Sequence, residues 1–235
     1  MSDATRPRRQ YDSSSRRARA AKNHARIVDA AAGLFLERGY VGATIPAIAV
    51  RAGVAVETVY RAANGKAGLL AAAVQAALAG GAERAELPVE EREGIRRVID
   101  EPDAHRQLLA YAATQPGVWS RVGPLLRVLD EAAAADEELA TLQRSQAEQR
   151  YNGLRRFASL LAERGALRPD LTVDRAADVI WTLCAQPTFE SLVTARGWTH
   201  HEYREWLGQM LADALLEKPA PPLDGSNDPN RTASS

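Results

Sequence analysis

From about residue 23 to residue 217 the chain repeats apolar stripes at helical spacing, separated by short polar breaks. Ile27, Ala31, Leu34 and Phe35 recur at i, i+4, i+7 and i+8, which places them on one face of a helix. Gly39, after Arg38, suits the left-handed position that closes such a helix. Two short elements are predicted at about 45–52 and 56–62, with Gly53 between them. A long helix comes next, from about Lys66 to Arg84. Pro88, Pro102, Pro116 and Pro124 predict several shorter helices as far as about residue 135, because proline removes a backbone donor. A long helix is expected over roughly 136–164, closed by Gly165 with Pro169 beyond. Thr172 can cap a helix reaching about Arg196, with Gln186-Pro187 as a break inside it. Thr199 with Glu202 three residues later predicts a capping box for the last helix. No segment alternates as a strand between hairpin turns, so the predicted fold class is all-α.

The two last helices carry more apolar surface than one packing contact needs. Tyr203, Trp206, Leu207, Met210, Leu211, Ala214 and Leu215 form a sustained stripe. Val173, Ala176, Ala177, Val179, Ile180, Trp181, Leu183 and Cys184 cover a wide arc on the helix before it. Either the chain's own core covers both, or a second copy does. The ends are different in kind. Residues 1–22 are Arg- and Ser-rich with no apolar period and are expected to be a disordered basic arm. Residues 218–235, rich in Pro, Gly, Ser and Asn, are expected to be a disordered tail.

Composition narrows the function. With 46% hydrophobic and 26% charged residues the chain is globular. One cysteine, Cys184, excludes an intrachain disulfide framework and a multi-thiolate zinc site. No run of about 18 apolar residues is present, so no membrane partner is expected. A cytoplasmic location fits the lack of a secretory signal. Lys+Arg and Asp+Glu number 30 each, for a net charge of zero. The zero hides an asymmetry: residues 1–70 hold 12 basic and 5 acidic side chains, net +7, and the remainder is net −7. Eight of the 12 are Arg6, Arg8, Arg9, Arg16, Arg17, Arg19, Lys22 and Arg26. Basic charge gathered at one end is the electrostatic footprint of a nucleic-acid partner.

The segment after the arm gives it a purpose. Ala49, Gly53 and Val59 have the spacing of a helix-turn-helix. A small residue lets the helices cross, glycine makes the sharp turn, and an apolar residue fills the shared core. On Ala25–Arg38 with Phe35, Gly39-Tyr40, Thr44, Ile48-Ala49, Ala52-Gly53-Val54, Thr58-Val59-Tyr60, Lys66 and Leu69, the sequence resembles the tetracycline-repressor (TetR) family of bacterial transcriptional regulators. The resemblance covers about residues 23–83 and implies a DNA-binding domain there, with 84–217 as a helical ligand-binding and dimerisation domain. Two positions depart from the family's pattern. Ala55 stands where a serine usually caps the recognition helix, and Ala62-Ala63 stand where an aromatic pair is common.

The resemblance implies that about Val56–Ala62 enters the major groove of double-stranded DNA at a palindromic operator. Val56 is placed to touch a thymine methyl, Thr58 a base edge or phosphate, and Arg61 a guanine. Thr44, Tyr60 and Lys66 then position phosphates. Simpler readings stand beside these. Tyr60 can pack the three-helix core, and Glu57 can stabilise a helix start rather than read cytosine. The resemblance also implies a homodimer through the last two helices and a small-molecule effector among the middle ones. Tyr111, Trp119, Tyr151, Trp181 and Cys184 are the candidate ligand-binding residues, though each is also a type that fills cores. His200-His201 point to different helix faces, so no metal is assigned. No nucleophile–base set or glycine-rich phosphate loop stands out, so neither catalysis nor a cofactor is assigned. The expected function is a repressor released from DNA by a small molecule. The alternative is a helical ligand-binding or enzymatic protein with a vestigial DNA-binding head.

Overall fold

The computed structural model describes residues 13–217, and all of its regular elements are helical. The first helix, α1 (Ser13–Gly42), begins well inside the expected disordered arm of 1–22. Arg16, Arg17, Arg19 and Lys22 therefore extend a helix, while residues 1–12 lie outside the described residues, as does the tail from 218. Ala- and Arg-rich sequence propagates a helix readily once the Ile27–Phe35 stripe is anchored. Gly39 (φ 68°, ψ 179°) breaks the helical geometry where the glycine signal lay, and one further turn succeeds it.

Three short-to-medium helices complete an N-terminal bundle: α2 (Ile45–Ala52), α3 (Val56–Ala62) and α4 (Gly65–Ala79). Thr44 Oγ1 accepts from Ala47 N at 3.3 Å and caps α2, as its position predicts. Gly53 adopts the left-handed conformation (φ 62°, ψ 44°), and its N–H reaches back to α2 carbonyls. Ala49 and Val59 are buried where the helices cross. α4 stops at Ala79, short of the expected Arg84, because Gly80 and Gly81 take positive φ in succession. A single turn, α5 (Ala82–Ala85), and α6 (Glu93–Asp100) lead into the second domain.

That domain is built around α7 (Ala104–Ala133), one unbroken 30-residue helix where the prolines predict several. Pro116 is buried inside it, and Pro124 also lies within it. Interior proline costs about 3 kcal/mol. Here α7 packs against α1, α4 and α6, and against α8 (Glu137–Glu163) and α11 (His200–Leu215), so burial on several sides offsets the lost bonds. Between the last two lie α9 (Val173–Leu183) and a short α10 (Gln186–Phe189), then a π-turn over Glu190–Thr194. The expected helix to Arg196 is thus broken at Cys184–Ala185, ahead of Gln186-Pro187. α8 starts and ends near its predicted limits with Asp136 as cap, and the Thr199–Glu202 capping box is present.

The chain's own core answers part of the question about surplus apolar surface. Tyr203, Leu207, Leu211 and Leu215 of α11 are fully buried, with α7 the principal neighbour. Trp206, Met210 and Ala214 stay half-buried on the adjoining face.

Candidate nucleic-acid interface and buried polar cluster

The α2–α3 unit is held by contacts that use much of the local charge. Arg26 Nη2 donates to Ala52 O at 2.5 Å, capping the C-terminal end of α2 from α1. Arg51 makes a two-pronged pair with Glu37 (2.7 and 2.6 Å), which joins α2 to α1 and holds the Glu37 carboxyl below its ordinary range. Both arginines thus have internal partners, so neither counts wholly toward the basic charge available to DNA.

α3 buries Val59 and exposes Glu57, Tyr60 and Arg61. Tyr60 is 60% exposed, so it does not fill the three-helix core. Tyr40 packs there instead, stacked on Phe35 with ring centroids 5.8 Å apart. Val56 and Thr58 are half-buried. Arg61 Nε donates to Glu57 O at 3.3 Å, one turn back on its own helix. Ala55 is the N-cap of α3 and supplies no side-chain bond, as the missing serine hydroxyl predicts. Lys66 is the second residue of α4; its Nζ donates to Val41 O at 3.2 Å and sits 4.4 Å from the Tyr40 ring centroid. Partial burial lowers its pKa. An ammonium has three donors, so one backbone bond leaves it able to contact a phosphate. Thr44 is exposed, with its oxygen already serving as the α2 cap.

In the second domain four of the five candidate ligand residues, Tyr111, Trp119, Trp181 and Cys184, gather round a residue that sequence reasoning missed, and the fifth, Tyr151, packs on Trp181. Arg150 of α8 lies over the rings of Trp181 (4.1 Å) and Trp119 (5.4 Å). Its Nη2 donates to Trp181 O (3.2 Å) and Cys184 O (2.9 Å), the carbonyls left open where α9 ends. Tyr111 faces Cys184 and packs on Phe157 with centroids 4.7 Å apart. Tyr151 meets Trp181 edge to face at 6.0 Å and donates its hydroxyl to Asp178 at 3.0 Å. Tyr203 from α11 completes the group. Burial pushes the Cys184 thiol up to about 12 and the Tyr111 and Tyr203 hydroxyls above their ordinary values. Burial also lowers the Arg150 pKa. Cys184 has a basic neighbour after all, in space rather than in sequence, but burial outweighs it and the thiol stays protonated. The legible trace of Arg150 was its register: it stands four residues before Leu154 and eight before Ala158, a cation on an apolar stripe.

An open groove of about 490 Å³ lies beside the cluster, lined by Ala147, Glu148, Tyr151, Asn152 and Trp181. Gln75 of α4 donates to Gln146 of α8 at 3.0 Å, one turn from Arg150, and so ties the two domains. Among the described residues no group of His, Cys, Asp and Glu is placed to hold a metal ion, and no helix is long and apolar enough to cross a membrane.

A helix-turn-helix with an exposed second helix, joined through α4 to a helical domain, defines a helix-turn-helix DNA-binding protein with a separate C-terminal domain. Residues 27–73 match the family described as bacterial regulatory proteins, tetR family. Solved structures with the same fold are those of regulators of gene expression. NalD from Pseudomonas aeruginosa, the secondary repressor of the MexAB-OprM multidrug efflux pump, is 21% identical (TM-score 0.64; 85% of this chain, 100% of that one). The fatty acid degradation regulator FadR from Bacillus halodurans is 18% identical (TM-score 0.63; 81% and 94%). FadR from Bacillus subtilis, solved with stearoyl-CoA, is 18% identical (TM-score 0.61; 80% and 96%). A comparison with curated protein sequences gives no match. Residues 27–73 thus carry a helix-turn-helix of the tetR-family type, and the chain as a whole shares the fold of these solved regulators.

Proposed function

We propose that the chain is a homodimeric repressor that leaves a palindromic operator when a small molecule binds its C-terminal domain. The observation that carries this reading is continuity. The exposed helix α3, the Lys66 end of α4, and the Gln75–Gln146 bond from α4 to α8 lead without a gap to the Arg150 cluster. A ligand that favours one arrangement of α8 therefore favours one arrangement of α4, provided it binds the two states differently. In this reading Val56, Thr58 and Arg61 address bases, while Thr44, Tyr60 and Lys66 address phosphates. Trp206, Met210 and Ala214, with the half-buried Val179 and Leu183, supply the dimer face. Two copies are needed because half-sites lie about one helical turn apart. Among the structural relatives, NalD is a repressor and the Bacillus subtilis FadR was solved with an acyl-CoA, which supports both halves of the proposal.

The test is selection of genomic fragments by the purified protein at physiological salt, then a reporter placed downstream of the fragments retained. The proposal expects a shared palindrome and reporter output that rises when the gene for this chain is deleted. Output that falls on deletion would make the protein an activator and refute the sign of regulation.

A further inference from the structure

We propose that the cluster around Arg150 receives a small organic acid, whose anionic group pairs with the guanidinium and whose flat apolar body lies on Trp181 and Tyr151. This rests on the reading that the C-terminal domain takes an effector; it adds the effector's chemical class.

Donors and positive charge are in excess within the cluster. A partly buried guanidinium ordinarily meets a carboxylate. Arg150 meets two indole faces and two backbone carbonyls instead, and both carbonyl bonds use the same terminal nitrogen. The ionisable groups close enough to act on it are Tyr111, Cys184 and Tyr203, all neutral at pH 7. No negative charge among them balances it. Two further donors in the cluster lack partners: Trp119 Nε1 and the Tyr203 hydroxyl, on residues 6% and 0% exposed. Indole N–H cannot accept, and guanidinium cannot accept. Such a set is satisfied by a group that only accepts and carries negative charge, which describes a carboxylate.

The neighbouring groove supplies room for the rest of the molecule. Its volume of about 490 Å³ suits a small ligand, and Trp181 is a wall of both groove and cluster. The acidic residues near it do not neutralise the cation. Asp178 is engaged by Tyr151 and by Arg175 at 3.4 Å, and Glu148 is exposed to screening solvent. Because Gln146, one turn from Arg150, bonds to α4, occupancy of the site bears on the DNA-binding domain.

The test is calorimetric titration of the full-length protein, without DNA, with 2-naphthoate, 2-naphthamide and 2-naphthylmethylammonium. These probes share a flat body and differ in charge. Naphthoate should bind about tenfold or more tightly than the amide, and the ammonium weakest. Arg150→Gln should reduce the naphthoate preference to about twofold or less. Since Arg150 also caps α9, Trp119→Phe serves as a second variant; it keeps an aromatic ring, removes the Nε1 donor and should weaken naphthoate several-fold. Equal binding of the three probes, preference for the ammonium, or no naphthoate binding overturns the proposal. A protein that binds its operator yet prefers the ammonium would refute the acid and leave the repressor reading standing. One that prefers naphthoate but ignores DNA would do the reverse.

Discussion

Arg26, Arg51 and Arg150 are three arginines whose surroundings give them different work. The first caps α2, the second pairs with Glu37, and the third sits between tryptophans. Sequence counted Arg26 with the basic charge gathered before the helix-turn-helix because neighbours in the chain are visible and the carbonyl of Ala52 is not. The same limit hid Arg150: Tyr111, Trp119, Tyr151, Trp181 and Cys184 were legible as aromatic and thiol residues on middle helices, but the cation that gathers them comes from another element. Ala55 was readable at both levels, since a cap is a local interaction. Ala55→Ser should stabilise the protein by about 1 kcal/mol by giving α3 a hydroxyl cap, measured as a raised urea midpoint. Cys184 gives a pH prediction. Its folded pKa is raised from 9.0 to about 12, so the folded state keeps a proton that the unfolded state loses. The resulting stability is fully present below about pH 9 and is lost as pH rises toward 12. Cys184→Ala should therefore lose less stability than the parent between about pH 8.5 and 10.5 in urea titrations, the parent's extra slope approaching about 1.4 kcal/mol per pH unit. Parallel curves would contradict it.

At the scale of elements, the helix-turn-helix was legible because its constraints are short-range. Gly53 had to turn left-handed, Ala49 had to be small, and Val59 had to be apolar. Gly53→Ala should destabilise the fold by about 1–2 kcal/mol, since the position has φ 62° and an added Cβ would meet Arg26 Nη2 at 2.8 Å. Thermal unfolding checks it, and an unchanged midpoint would show that the turn can relax. The middle helices were less legible. Prolines 116 and 124 predict breaks, yet α7 runs through both because α1, α4, α8 and α11 close around it. Conversely, α9 ends at Leu183 before the proline that was expected to interrupt it, where Arg150 donates to the open carbonyls of Trp181 and Cys184. Local propensity cannot report a helix end that is stabilised from another helix.

For the whole molecule, the charge asymmetry gains meaning from the internal pairs. With Arg26 and Arg51 engaged inside the domain, the basic residues of 1–70 that the proposed reading leaves for DNA are Arg38, Arg61, Lys66 and those ahead of Arg26. Deleting residues 1–12 removes Arg6, Arg8 and Arg9 and leaves α1 whole. The truncated protein should bind all DNA more weakly, with the slope of log affinity against log salt reduced by about 0.9 for each phosphate that is no longer neutralised. An unchanged slope would show that those arginines face away from the duplex. Whether the exposed α3 reads sequence or only charge decides the proposed function. Competition anisotropy at physiological salt, comparing the palindrome recovered by genomic selection with a scrambled duplex of equal length and composition, tests this directly. Sequence reading by α3 predicts that the palindrome binds tighter by a factor of about a thousand or more, and near-equal affinity for the two duplexes would contradict it.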